Sequence, residues 1–342
     1  MTKGLVSIII VNWNGLEHLK KCLPSIFKQN YKKFEVILVD NGSSDNSVNW
    51  VRKNYPQIII VKNKTNLGFA EGNNRGYVAS KGDYVLFLNN DTNASRDFLE
   101  PLVSVLKKDH SVGGVQSKIL FMDSPGTLDS TGSYLTKTGF LYHGGVYQKD
   151  SAKFNKKKVI YSAKGACMMF RRNVIEETLL DGEVLDSKFF AYFEETDLCH
   201  RVWLAGYRIM YVPESVIYHK FGASSIKLKK SFVEYHSYKN RINSYIKNLS
   251  LLYLFEILSV HIIICQVLTL IFVLRGKTKV ALAIEKAILW NVLNLPQTLK
   301  KRSIIQTKIR KVKDTAFFPE IVYDPGIKYF LSHLKGWNVT QI

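Results

Sequence analysis

Two short apolar runs that each end in an aspartate constrain this chain most. Tyr84-Val85-Leu86-Phe87-Leu88 stops at Asn89-Asn90-Asp91, and Val36-Ile37-Leu38-Val39 stops at Asp40. Continuous apolar runs of this length read as strands buried on both faces. Open α/β sheets bind ligands just beyond the carboxyl ends of their strands. A carboxylate there is placed to hold a divalent metal against a phosphate. Two such ends in one chain point to a nucleotide site.

The surrounding pattern agrees. Residues 5–11 read as a buried strand, 16–29 as a helix, 34–39 as a strand, and 57–62 as a third strand. A helix starts near Asn46, capped by Asp45 or Ser44. Residues 69–80 read as a helix and 83–88 as a fourth strand. Alternating strands and helices predict a mostly parallel, doubly wound α/β sheet. No GxGxxG follows the first strand and no Walker lysine loop is present, which disfavours a dehydrogenase or P-loop site. From 112 to 225 the pattern is mixed, with strand-like pieces at 114–121, 160–170 and 207–212 and a helix over 195–205.

The last third differs. The net charge is +20, and residues 226–342 hold 19 Lys and Arg against 6 Asp and Glu. No charged residue occurs from Ile257 to Leu274, which is about the shortest run that spans a bilayer. A second apolar stretch at 280–295 leads to Pro296 and Lys300-Lys301-Arg302. Residues 246–302 therefore read as a helical hairpin lying on or dipping into a membrane, basic flanks toward anionic lipid. A soluble helical cap is the alternative. Cys22, Cys167, Cys199 and Cys265 form no CxxC pair, so neither a zinc cage nor a disulfide framework is expected.

Six segments in order, VSIIIVNWNG, VILVDNGSSD, NLGFAEGNNRG, YVLFLNND, FFAYFEETDLCHR and VIYHKFGASS, resemble the landmarks of family 2 glycosyltransferases, and of these the rhamnosyltransferase-like branch most. The resemblance covers residues 5 to about 225. It implies a GT-A fold at 1–245, a dTDP- or UDP-linked sugar donor, a divalent metal (Mn2+ or Mg2+) and inversion at the anomeric carbon. It also implies a glycan or lipid-linked acceptor at the cytoplasmic face of the cell membrane, with 246–342 as a membrane-associated tail and no role for nucleic acid.

The resemblance assigns the donor to Asn12, Asn14, Asp40, Asn66, Gly68, Arg75 and Asn90. Independently, a carboxylate such as Asp40 accepts from a base N–H or ribose hydroxyl, and an arginine such as Arg75 suits a diphosphate. Asn89-Asn90-Asp91 stands where the family has its DxD metal motif. Asn89 replaces the first acid, leaving Asp91 as the one ionised ligand. His219 matches a histidine that completes the site, and an imidazole favours manganese. The family's Glu-Asp pair is Glu194-Glu195 here, which makes Glu195 the base by position and Glu194 the reserve. Asp197 and Arg201 lie one turn apart and are expected to form an ion pair. Lys164-Gly165-Ala166-Cys167 resembles the small-residue segment beneath the acceptor. The rival readings are a sugar nucleotidyltransferase, a non-enzymatic binder of membrane or nucleic acid, and an inactive family member.

Overall fold

The computed structural model describes residues 2–220, 222, 228–326 and 329. Phe221 and residues 223–225 of the sixth landmark lie outside the described residues. The chain opens with β1 (Thr2–Asn12), α1 (Leu16–Phe27), β2 (Phe34–Asp40), α2 (Ser47–Asn54), β3 (Ile59–Lys62), α3 (Gly68–Ala79) and β4 (Gly82–Leu88). It continues with β5 (Thr92–Ala94), α4 (Leu99–Lys108), β6 (Val112–Phe121), β7 (Ser124–Ser130), and a hairpin of β8 (Ser133–Leu135) and β9 (Leu141–His143). After these come β10 (Lys158–Val159), β11 (Cys167–Arg171), α5 (Arg172–Glu177), α6 (Glu194–Leu204) and β12 (Arg208–His219).

One sheet runs in the order β10-β12-β6-β11-β4-β1-β2-β3, with β5 added to β12 and β7 to β6. β1 is parallel to β2 and β4, and β2 to β3. β11 inserts antiparallel between β4 and β6, while β6 and β12 are parallel. Side chains alternate across each strand. Ile8 and Ile10 join α1, α2 and α4 through Leu19, Val51 and Leu102. Ile9, Ile37 and Phe87 join α3, α5 and α6 through Ala70, Ile175 and Leu198. Both faces are covered, which is why these strands read as unbroken apolar runs.

The strand expected over 160–170 is shorter. Tyr161 and Ser162 donate their amides to Ser133 O, and a turn from Lys164 O to Cys167 N interrupts the chain before β11 begins. Gly165 and Ala166 of that turn face a cavity instead of a neighbouring strand.

The C-terminal part contains α7 (Lys230–Asn248), α8 (Leu251–Leu274), α9 (Thr278–Leu293), α10 (Leu295–Ile304) and α11 (Phe318–Ile321). The apolar hairpin is α8 and α9, turning at Arg275-Gly276-Lys277, where Gly276 takes φ +68°. α7 packs against α6, α8, α9 and α10. A buried ionic network ties these layers together. Lys247 of α7 lies 2.6 Å from Asp186 and 3.2 Å from Asp197 of α6, and Lys301 of α10 lies 2.7 Å from Asp186. Arg201 completes it 3.3 Å from Asp197, the ion pair expected from their spacing.

Candidate active site

Strand ends and loops enclose a cavity of about 390 Å³. Asn89, Asn90 and Asp91 reach it because β4 ends there. Asn66, Gly68 and Phe69 line it where α3 begins, His219 lines it from the end of β12, and Glu194 and Glu195 line it from the first turn of α6. Asp91 and Glu195, the expected metal ligand and base, therefore share one cavity.

Asp91 is buried, and among the described residues its Oδ1 has no hydrogen-bond partner within normal geometry. His219 Nε2 lies 3.4 Å from that oxygen, and His219 Nδ1 is 2.7 Å from Asp129 Oδ2. Burial disfavours the imidazolium, but the hydrogen bond to Asp129 and the close Asp91 and Asp129 carboxylates outweigh it and push the His219 pKa up to about 9. Asp129 also pairs with Lys164 at 2.5 Å. Burial alone would raise the Asp129 pKa, yet Lys164 and His219 hold it at about 2.

Among the described residues no set of three or more His, Cys, Asp or Glu forms a complete cation cage. The residues nonetheless fit a divalent cation that draws its remaining ligands from water and phosphate. Asp91 Oδ1 and His219 Nε2 lie 3.4 Å apart and would both serve as ligands once a cation displaced the Nε2 proton, and a second carboxylate fixes that ring from behind.

Burial pushes the Glu195 carboxyl up to about 7, against the opposing charge of Lys164. Burial, then the charge of Glu195, holds Glu194 well above the carboxylate range, and Glu194 Oε2 finds no partner. Two adjacent acids thus take different states, Glu194 neutral and Glu195 able to ionise near neutrality. Asp91, His219, Asp129, Lys164 and Glu195 make a row of alternating charge along the cavity wall. Gly165 lies beside that acid, and a Cβ there would sit 3.9 Å from Glu195 Cβ.

The expected donor residues divide into two groups. Asn66, Gly68 and Asn90 line the cavity; Asn12, Asn14, Asp40 and Arg75 do not. Asn12 Oδ1 accepts from Asn90 Nδ2 at 2.9 Å, and its own amide donates to Ser47 Oγ at 3.0 Å. Asn14 Oδ1 accepts from Ser44 N at 2.7 Å, and Asp40 Oδ1 from Ser43 N at 3.3 Å. These three shape the Gly42–Ser47 loop beside β2. Arg75 bonds Glu71 at 2.8 Å and Asn63 Oδ1 at 2.9 Å. Gly68, at φ +83°, packs so tightly that a Cβ would meet Phe190 O at 2.4 Å.

Asp129, Lys164, Tyr192 and Arg241 also line the cavity. Lys164 stood within a segment already marked for its small residues. Asp129, a single acid after an apolar Leu128, carries no local signal. Cys167 is buried, its thiol pushed up to about 12 by desolvation, as a packing residue should be.

The family model described as "Glycosyl transferase family 2" matches residues 7–179. An uncharacterized glycosyltransferase of Haemophilus influenzae is 26% identical over 271 residues, 74% of this chain and 80% of that protein. The low-salt glycan biosynthesis hexosyltransferase Agl10 of Haloferax volcanii is 25% identical over 69% of this chain and 74% of its own. Against the uncharacterized protein y4gI of Sinorhizobium fredii, 28% identical over 64% of this chain, the chain spans 25% of the relative's length. Among solved structures, GalNAc-T7 with UDP, GalNAc and Mn2+ superposes with TM-score 0.53 at 16% identity, covering 72% of this chain and 48% of that one. The mannosyltransferase PcManGT of Pyrobaculum calidifontis with GDP-Man and Mn2+ superposes with TM-score 0.51 at 15% identity, covering 98% and 83%.

Proposed function

Because this chain belongs to glycosyl transferase family 2 and has the GT-A fold, we propose that it transfers a sugar with inversion from a nucleoside diphosphate donor to an acceptor hydroxyl, with Glu195 as the base. The observation that carries the reading is that Glu195 and Asp91 wall one cavity, linked by His219, Asp129 and Lys164. The donor is dTDP-rhamnose or a UDP-hexose, and the acceptor a cell-surface glycan or lipid-linked sugar. UDP, GalNAc and Mn2+ bound to one structural neighbour, and GDP-Man and Mn2+ bound to another, support the donor class and the cation.

Glu195, ionised, takes the proton of the acceptor hydroxyl as its oxygen bonds the anomeric carbon. The bond from that carbon to the donor's diphosphate breaks, and its electron pair leaves with the diphosphate. Glu194 stays protonated, so it neither competes for the proton nor adds charge beside the base. Asp91 and His219 would hold Mn2+ or Mg2+, which when bound offsets negative charge on the leaving diphosphate. Gly165 and Ala166 give the sugar ring room, and Asn66 and Asn90 present amides to the donor. Asp40, with Asn12 and Asn14, shapes the base-binding loop, and Arg75 supports it through Asn63.

Catalysis belongs to residues 1–245, and membrane attachment to 246–342. α8 is 24 residues long and is apolar enough over an 18-residue stretch to cross a membrane. Its buried stripe of Ile257, His261, Cys265, Leu268 and Phe272 seats it sideways on the protein, while Leu252, Phe255, Ile263 and Leu274 stay exposed. An apolar face of that extent supports insertion into one leaflet, flanked by Arg275, Lys277 and Lys279.

The deciding assay measures nucleotide release from a panel of UDP-, dTDP- and GDP-sugars, with and without Mn2+. Glu195→Gln should bind the donor normally and lose about 10²–10⁴-fold in turnover. Normal turnover by that variant refutes the assignment of the base.

A further inference from the structure

We propose that Asn240 of α7 is a positioning residue for the two cavity acids: its side-chain amide clamps the 189–193 segment, three of whose residues have positive φ, and so delivers Glu194 and Glu195 to the cavity. The inference rests on the role of Glu195 given above and adds what holds that residue in place.

Phe190, Tyr192 and Phe193 have φ of 65°, 72° and 71°, and none is glycine. Side chains with a Cβ resist this region, and such backbone persists where the surroundings over-determine it. Here the four successive carbonyls of the segment are all engaged from outside it. Phe189 O accepts from Asn240 Nδ2 and from His236 Nδ1, each at 3.1 Å. Phe190 O accepts from Phe69 N at 2.6 Å and Ala70 N at 3.2 Å, the free amides at the start of α3. Ala191 O and Tyr192 O accept from Asn240 Nδ2 at 2.9 and 2.6 Å.

The two N–H groups of one fully buried amide, one of them shared between two acceptors, thus face three of the four carbonyls. The next residue along, Phe193, accepts the first backbone bond of α6 from Asp197 N. The orientation of the first turn of α6, and of its two glutamates, follows from this segment. α7 is itself fixed from behind: Asn291 of α9 donates to Lys239 O at 3.0 Å, and Asn243 to Thr298 of α10 at 2.9 Å. The helix that carries the C-terminal hairpin also sets the geometry of the acids.

A polar residue that only satisfied the core would affect stability and leave the chemical step alone. The experiment separates these roles on the full chain, with whichever nucleotide sugar of the panel the wild type consumes. Asn240→Ala should lower kcat on the order of 10²-fold, the cost of a misplaced group, with donor KM within about threefold of wild type. Asn240→Ser, which keeps one donor, should show the same split at a smaller loss, and it decides the matter if the alanine variant does not fold. Glycine adopts positive φ without strain, so Tyr192→Gly combined with Asn240→Ala should lose less than the product of the two single losses. Unchanged kcat in Asn240→Ala, a rise confined to KM, or strict additivity in the double variant overturns the clamp. A wild type inert toward every donor defeats the preceding reading instead, and this one with it.

Discussion

The buried network around Lys247 allows a stability prediction to be worked from distances. Lys247 is fully buried and lies between Asp186 and Asp197, which are also buried. Substituting methionine keeps much of the volume and strands two carboxylates. Breaking a buried pair costs about 3–5 kcal/mol because the remaining charge is uncompensated. Here Lys301 still faces Asp186 and Arg201 still faces Asp197, which places the loss near the lower limit, at about 3 kcal/mol. For a chain of this size that is a fall in Tm of roughly 4 °C.

The sign with pH is fixed as well. Burial opposes ionisation of both acids, but the lysine and arginine charges prevail and hold both below the ordinary range. In the wild type their contribution is therefore present above the unfolded carboxylate pKa and lost as pH falls through the folded values. In Lys247→Met each acid has lost a cation, so its folded pKa rises and protonation relieves the stranded charge. The gap in Tm should be widest near pH 7.5 and shrink toward pH 5, read by circular dichroism melts of both proteins. A gap below about 2 °C at pH 7.5, or one independent of pH, would mean that the network adds nothing to holding α7 against α6.

Turnover should rise with pH through about 7, as burial-shifted Glu195 ionises; an acid limb near pH 4 would remove Glu195 from the role of base. Asp129→Asn removes the charge that steadies His219 and should weaken Mn2+ binding by about 10–100-fold, followed by the electron paramagnetic resonance of free Mn2+; equal affinity would contradict the idea that Asp129 orients a ligand. Phe255→Glu on the exposed face of α8 should reduce sedimentation with anionic phosphatidylglycerol vesicles by roughly tenfold or more, given about 1.5–3 kcal/mol for one large apolar side chain; unaltered binding would move attachment elsewhere.

The parallel strands and the chemistry at their ends could be read from sequence because burial on both faces leaves an unbroken apolar signature. Asp91 was visible for the same reason, since it ends a strand, whereas Glu195 came from the resemblance of FFAYFEETDLCHR to the family's landmark. The β11 insertion was not legible. Its antiparallel pairing depends on register with β4 and β6, which no local periodicity encodes, and the turn at Lys164 shortens the run. In NLGFAEGNNRG, Gly72 and Gly76 serve packing: a Cβ would fall 2.9 Å from Val11 and 2.3 Å from Ile9, so they let α3 lie close on β1. Arg75, between them, bonds Glu71 and Asn63 away from the cavity. Asp129 and Asn240 are single polar residues in ordinary surroundings, and only tertiary contact gives them meaning.

The β8–β9 hairpin touches two places at once. Ser133, Leu141 and His143 wall the cavity, while at its tip Thr138 O accepts from His261 of α8 at 3.0 Å and Phe140 packs on the same ring, centroids 4.7 Å apart. If α8 rests in the leaflet, this rigid strut makes the protein a ruler. The height of the catalytic mouth above the lipid is set by a folded spacer and not by a tether, so the length of an acceptor decides whether its terminal hydroxyl arrives.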